Sequence, residues 1–270
     1  IFGKTKNFYG VSSKRSNTTF TKYISFLKKN KLKYKKIFLS ELDNIEGSVV
    51  STEKNINIFK IKKIIKKKIL ITKNINLLLN KKLTSLDIKK YHKVIIATYE
   101  NNNSVLKNLG IKIKKKYKYE LVEKTIVKLP KRFKNKSYMI IDGKFLCLDP
   151  LVGTDFHLLS SNKYSKIEII KGFLPKFRSK KSMFIHKGLI KQKKYSNFKK
   201  IVSHGKEFFS FISKAKYIGS YFLVRVIVLN KEKTDERLNY IDLVNKKIIT
   251  LFSGKWNTSI SISKELLKKI

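Results

Sequence analysis

Cysteine is nearly absent from this chain: Cys147 is the only one in 270 residues, alongside three prolines, two alanines (Ala97 and Ala215) and five arginines. One cysteine excludes a disulfide framework and a cysteine-based zinc site, and points to a reducing compartment. No run approaches the ~18 consecutive apolar residues of a membrane span. The first residues, Ile1-Phe2-Gly3-Lys4, lack the apolar core of a signal peptide. A cytoplasmic protein without a membrane span is the expectation.

Acidic residues are also scarce, 18 against 63 basic ones, which gives a formal net charge of +45. Such a charge suggests nucleic acid, because lysines gain affinity by releasing counterions from phosphates. Two features weigh against that being the task. Arginine, the bidentate reader of phosphate and guanine, is limited to Arg15, Arg132, Arg178, Arg225 and Arg237. The lysines are spread along the whole chain, as a nucleotide-composition bias would spread them. A basic, ribosome-associated nucleic-acid-binding protein stays as the alternative reading, with Tyr117 and Tyr119 set between lysines where they could stack on bases.

Familiar catalytic signatures are missing as well. His92, His157, His186 and His204 have no metal-ligand spacing, so no metal site is expected. There is no GxSxG elbow, no GxxxxGK loop and no paired-carboxylate signature. An enzyme built from this chain would draw its hard chemistry from a cofactor.

What is present is an alternation of short elements. Phe8–Ser13 and Glu46–Ser51 read as strands, and Asn17 as the cap of a helix carrying Phe20, Ile24, Phe26 and Leu27. Ile58, Ile61, Ile64 and Ile65 give an amphipathic helix with a solvated lysine face. Residues 69–72, 75–79 and 83–86 read as short strands. Lys93–Thr98 has the continuous apolar character of a parallel strand. From Ile111 the pattern becomes a series of short strands, with Asp142-Gly143 as a hairpin signal. A helix is expected over 198–215 and a strand over 221–229. Near the end, Ile248–Phe252 is a strand that breaks at Gly254 and leads into a helix over Thr258–Leu267. A strand, a glycine turn and a helix N-terminus in that order bring backbone N–H groups towards one acceptor.

Several of these segments, in this order, resemble the FAD-dependent oxidoreductases of the D-amino-acid oxidase and glycine oxidase superfamily, in an uncharacterised bacterial branch. Val94-Ile95-Ile96-Ala97-Thr98-Tyr99 is similar to the family's apolar run followed by Ala-Thr-Gly. Tyr119–Glu123 and Met139–Phe145 through Asp149-Pro150 resemble that branch's substrate-domain strands. Val224–Leu229, Thr234–Arg237 and Leu251–Lys255 resemble its C-terminal flavin-facing segment. Family members open with a strand, GxGxxG and a helix, and no such unit occurs here. With the non-Met start, this implies an N-terminally truncated fragment or a diverged, non-catalytic remnant.

The fold so implied is α/β (α+β): the remainder of an FAD-binding Rossmann-type domain, residues 46–110 and 216–270, with an inserted antiparallel-sheet substrate domain, residues 1–45 and 111–215. The activity implied is hydride transfer to FAD from a small amine or amino-acid-like substrate. Ala97 and Thr98 would let the backbone approach the ADP part of FAD, or simply end a core strand. Tyr99 stands where the family has glycine, which implies a differently shaped corner. Ser253, Gly254, Lys255 and Trp256 would face the isoalloxazine ring, or form an ordinary strand-to-helix turn. Arg225, centred in an apolar strand, would clamp a substrate carboxylate or pair with Asp235 or Glu236. Cys147, between Leu146 and Leu148, reads as a buried small hydrophobe.

Overall fold

The structure, a computed structural model, describes residues 1–143, 145–229 and 238–270, with the side chain of Trp256 outside the description. Lys144 of the Met139–Phe145 segment and Thr234, Asp235, Glu236 and Arg237 of the C-terminal segment lie outside the described residues.

In chain order the strands and helices are β1 (Lys6–Ser12), α1 (Phe20–Lys29), β2 (Tyr34–Lys36), β3 (Ile45–Ser51), α2 (Ile58–Ile71), α3 (Ser85–Lys89), β4 (Val94–Ile96) and α4 (Asn102–Asn108). There follow β5 (Tyr117–Lys128), β6 (Lys136–Ile141), β7 (Leu146–Pro150), β8 (Phe156–Ser161), β9 (Lys166–Gly172) and α5 (Phe198–Gly205). The chain closes with β10 (Lys216–Val228), β11 (Asn239–Leu243), β12 (Ile248–Ser253) and α6 (Ser259–Leu267). It divides into two compact units, the first of Ile1–Leu77, Glu123–Ile167 and Met183–Leu223, the second of Leu78–Val122, Glu168–Ser182 and Val224–Ile270. Strands β5 and β10 cross the division, and each part belongs with its own unit.

The first unit is built on a mixed sheet with the order β5–β8–β7–β6–β1–β3–β2. Its pairs are antiparallel except for β1 against β6, which run parallel in register from Lys6↔Lys136 to Val11↔Ile141. Alternation along β6, β7 and β8 turns Tyr138, Ile140, Leu146, Leu148 and Leu159 inward, where they meet Phe133, Phe198, Ile201, Phe209, Phe211 and Ile212. Burying such side chains is worth roughly 1.5–3 kcal/mol each, so this cluster dominates the unit's stability.

The second unit holds a three-stranded sheet, β11–β12–β4. β11 and β12 form an antiparallel hairpin, and β12 runs parallel to β4 with Ile248↔Val94, Ile249↔Ile95 and Thr250↔Ile96. Val94, Ile96, Leu106 and Ile248 make its small core.

Several expectations are corrected. Residues 69–86 contain no strand: α2 continues to Ile71, because Ile61, Ile65 and Ile69 keep the four-residue helical spacing beyond the Asn57 cap, and Thr84 with Asp87 closes a capping box that starts α3. The cap of α1 is Thr19, whose hydroxyl accepts from Lys22 N, and not Asn17. The helix over 198–215 stops at Gly205. Beyond it the chain turns before a short 3-10 helix at Ile212–Lys214, and Gly205 packs so closely on Ile212 that a Cβ would lie 3.1 Å from its Cγ1. Residues 117–128, inside the region read as a series of short strands, form one long strand. Cys147 is half-buried, and its thiol donates to Asp149 Oδ2 at 2.7 Å, so it is not a plain hydrophobe.

Candidate functional site

The candidate site lies in the second unit, at the carboxyl ends of the parallel strands β4 and β12. In parallel α/β sheets that edge is where ligands meet converging loops. After Ile96 the chain leaves β4 through Ala97 and Thr98, both exposed, and turns at Tyr99. Asn102 fixes this turn to the neighbouring strand. Its Oδ1 accepts from Thr98 N at 2.8 Å and from Thr98 Oγ1 at 3.0 Å, and its Nδ2 donates to Leu251 O at 2.9 Å. Because Asn102 is buried, this one side chain sets where the exposed backbone of 97–98 lies relative to β12.

Tyr99 has φ +54°, the left-handed region that favours glycine. The corner therefore keeps a backbone conformation suited to glycine while carrying a tyrosine. The side chain offsets the strain: its ring stacks on Phe252 at 5.4 Å between centroids, and its Oη accepts from Val226 N at 3.0 Å. Phe252 is also stacked with Tyr117 at 5.5 Å and with Tyr240 at 5.2 Å. Burial, reinforced by Asp242, pushes the Tyr117 phenol up to about 12. Burial raises Tyr240 as well, and its hydroxyl is buried without a hydrogen-bond partner among the described residues. Both rings are therefore neutral at physiological pH, as packing on Phe252 requires.

The turn after β12 is tied down by polar contacts. Gly254 N–H donates to Leu238 O at 3.2 Å and to Asn239 Oδ1 at 3.3 Å, so the glycine's own N–H is engaged within the protein. Ser253 Oγ donates to Lys255 O at 2.6 Å, and Lys255 is exposed. Thr258 Oγ1 lies 2.9 Å from Asn239 Oδ1 and 2.7 Å from Lys255 O, and makes no side-chain cap bond to its own helix. The first N–H groups of α6 are thus left without that cap, at the positive end of a nine-residue helix. Small, exposed residues at 97–98, which let a cofactor approach the backbone, and the positive start of α6 are compatible with a flavin cofactor. The side chain of Trp256, expected at the same place, lies outside the described residues.

Arg225 is engaged by a partner that its sequence neighbourhood did not suggest. Its Nε donates to Glu120 Oε2 at 2.6 Å and its Nη2 also contacts that oxygen, while Lys118 Nζ lies 3.6 Å from Oε1. Glu120 is fully buried and Arg225 is 37% exposed, so the guanidinium has one edge on the carboxylate and surface left over. Asp235 and Glu236, the partners considered from sequence, lie outside the described residues. Glu120 and Asn102 were not legible as site residues: the fold brings Arg225 to Glu120 and Leu251 O to Asn102, although Thr98 is only four residues from Asn102. The only local hint was the Asn101-Asn102-Asn103 run after β4.

No protein-family model matches the chain, and no curated protein matches it in sequence. Its fold does match solved structures. Glycine oxidase from Geobacillus kaustophilus superposes with a TM-score of 0.63 at 9% identity, over 95% of this chain and 67% of that one. L-proline dehydrogenase from P. horikoshii gives 0.58 at 13% identity, over 94% and 68%. Glycine oxidase from Bacillus cereus ATCC 14579 gives 0.55 at 10% identity, over 95% and 68%. The fold implied by the sequence resemblance is therefore the fold found, a mixed α/β architecture shared with these oxidoreductases. Among the described residues no helix is long and apolar enough to cross a membrane.

Proposed function

We propose that the chain is the larger part of a flavin-dependent oxidoreductase acting on a small amine or amino-acid-like substrate. The observation that carries this reading is the strand-end site: exposed Ala97 and Thr98 and the open N-terminus of α6 at the carboxyl ends of parallel β4 and β12, in a fold shared with glycine oxidase and L-proline dehydrogenase. When bound, FAD would supply the redox chemistry, accepting a hydride from a C–H bond next to nitrogen.

In this reading Ala97 and Thr98 lie against the ADP part, where larger side chains would keep the backbone away. Ser253, Gly254, Lys255 and Trp256 with the start of α6 face the ring, and the positive helix end favours negative charge there. Arg225 meets the substrate carboxylate. Since Nε and Nη2 are turned to Glu120, the opposite edge of the guanidinium is the one a carboxylate would meet in a bidentate pair. The residues given these roles all belong to the second unit. The cofactor domain is taken as residues 46–110 and 216–270, and the substrate domain as residues 1–45 and 111–215.

The sequence carries no GxGxxG unit, and we infer that such a unit, on a longer version of the chain, completes the cofactor site. A gene product extended upstream should purify yellow. An extended product that contains strand–GxGxxG–helix and folds, yet stays colourless and takes up no added FAD, would overturn the reading in favour of a non-catalytic remnant.

A further inference from the structure

A second cavity, of ≈ 480 Å³, lies wholly within the first unit and plays no part in the flavin reading. Its position follows from the parallel pair. Because β1 and β6 run the same way in register to Val11↔Ile141, both chains leave the sheet at the same end, β1 through Ser12 towards Arg15 and β6 into Asp142-Gly143. The two loops are tied together, Asn17 N donating to Asp142 O at 3.1 Å and Asp142 N to Ser16 Oγ at 3.2 Å. Gly143, at φ +133°, lies so close to the first loop that a Cβ would come 3.1 Å from Arg15 O. Only glycine keeps that approach.

One wall is His204, whose orientation is set from behind. Fully buried Ser161 places its Oγ 2.9 Å from His204 Nδ1, and the same Oγ accepts from Tyr164 N at 3.3 Å. Where the Ser161 hydroxyl donates its proton to Nδ1, the ring proton lies on Nε2. Nε2 is on the side of Glu207, 3.8 Å from Oε2, and Glu207 Oε1 is bridged to Arg15. This is the reverse of a nucleophilic triad: the serine is buried and sits on the wrong nitrogen, so it orients the imidazole and cannot attack. Ile140 and Phe208 supply an apolar floor, and Lys163 and the 76%-exposed Arg15 stand at the mouth. Arg15 is one of only five arginines in a chain otherwise saturated with lysine.

We propose that this cavity binds a small organic oxyanion, a carboxylate or a phosphate, with its charged end on Arg15, Lys163 and His204 Nε2–H and its apolar part on Ile140 and Phe208. Asp142 and Glu207 also line the cavity, so the anion would take Arg15 and the Nε2–H over from the Glu207 carboxylate; the cations Lys14, Arg15 and Lys163 outnumber those two carboxylates, and the apolar floor suits a carbon skeleton rather than a bare ion.

The test follows the His204 imidazole resonances of the full chain by NMR while inorganic phosphate is added in one arm and butyrate in the other. A saturable shift at His204 in either arm is expected, and the tighter arm identifies the class. Replacing both mouth cations, Arg15→Gln with Lys163→Gln, is expected to weaken binding about tenfold or more. Lys62→Gln with Lys63→Gln on α2, an equal loss of charge elsewhere, should change it by less than about twofold. All four are surface positions, so folding is not at risk, and a thermal melt of each variant verifies it. No saturable shift in either arm, or equal weakening by the two double variants, would overturn the proposal and leave only general attraction of anions to a basic protein.

Discussion

Arg225 and Glu120 form a pair in which the carboxylate is fully buried and the guanidinium is one-third exposed, with Nε 2.6 Å from Oε2. The two sides are therefore unequal. Arg225→Ala takes the guanidinium away from a charged, buried carboxylate and should destabilise the protein by about 3–5 kcal/mol. Glu120→Ala leaves an arginine that can still reach water and should cost less. Denaturant unfolding of both variants and the double variant measures the difference; equal costs would show that the burial asymmetry is not what matters.

Tyr99 joins strain and compensation at one residue. In Tyr99→Phe the stacking on Phe252 is kept, but the buried Val226 N–H loses its acceptor, which should cost about 1–3 kcal/mol. Hydrogen exchange at Val226 should accelerate more than at its neighbours. Unchanged exchange there would mean that another acceptor replaces the phenol.

Glu123 is the polar hub of the first unit. The fully buried carboxylate receives Ser196 Oγ, Asn197 N at 2.8 Å and Ser220 Oγ at 2.6 Å. Glu123→Ala strands these donors and should cost about 3 kcal/mol or more. Limited proteolysis should then cut around Ser196, because the bonds that fix that loop are gone.

His157 should make the first unit acid-sensitive. Burial lowers its pKa below the ordinary 6.5, against the opposing pull of the Phe133 carbonyl 2.9 Å from Nε2. A lowered folded pKa means that the unfolded chain binds the proton first. Stability is therefore full above pH 6.5 and falls as the pH drops below it. His157→Gln, which can keep the contact to Phe133 without titrating, should flatten the fall in melting temperature between about pH 6.5 and 5. An identical slope in the variant would assign the sensitivity elsewhere.

Much of this architecture was legible in the sequence, for physical reasons that also mark the limits. The strand–glycine–helix order of 248–267 and the parallel-type run at 94–96 carry their periodicity locally, and both are found. The region 69–86 misled because short apolar runs of isoleucine and leucine are equally compatible with strand and helix, and the Asn57 and Thr84 caps decide between them. The partners of Arg225 and Tyr99 could not be read at all. Glu120 is 105 residues from Arg225, and Val226 is 127 from Tyr99, so only the fold brings them together.

The most direct test of the account is the visible absorbance spectrum of the gene product extended upstream through a strand–GxGxxG–helix unit, purified with and without Ala97→Trp. Flavin bands are expected in the first protein and their loss in the second, with both folded, because a large side chain at exposed Ala97 would stand where the cofactor's backbone contact belongs. A folded extended protein without flavin bands, or an Ala97→Trp variant that holds flavin as well as its parent, would contradict it.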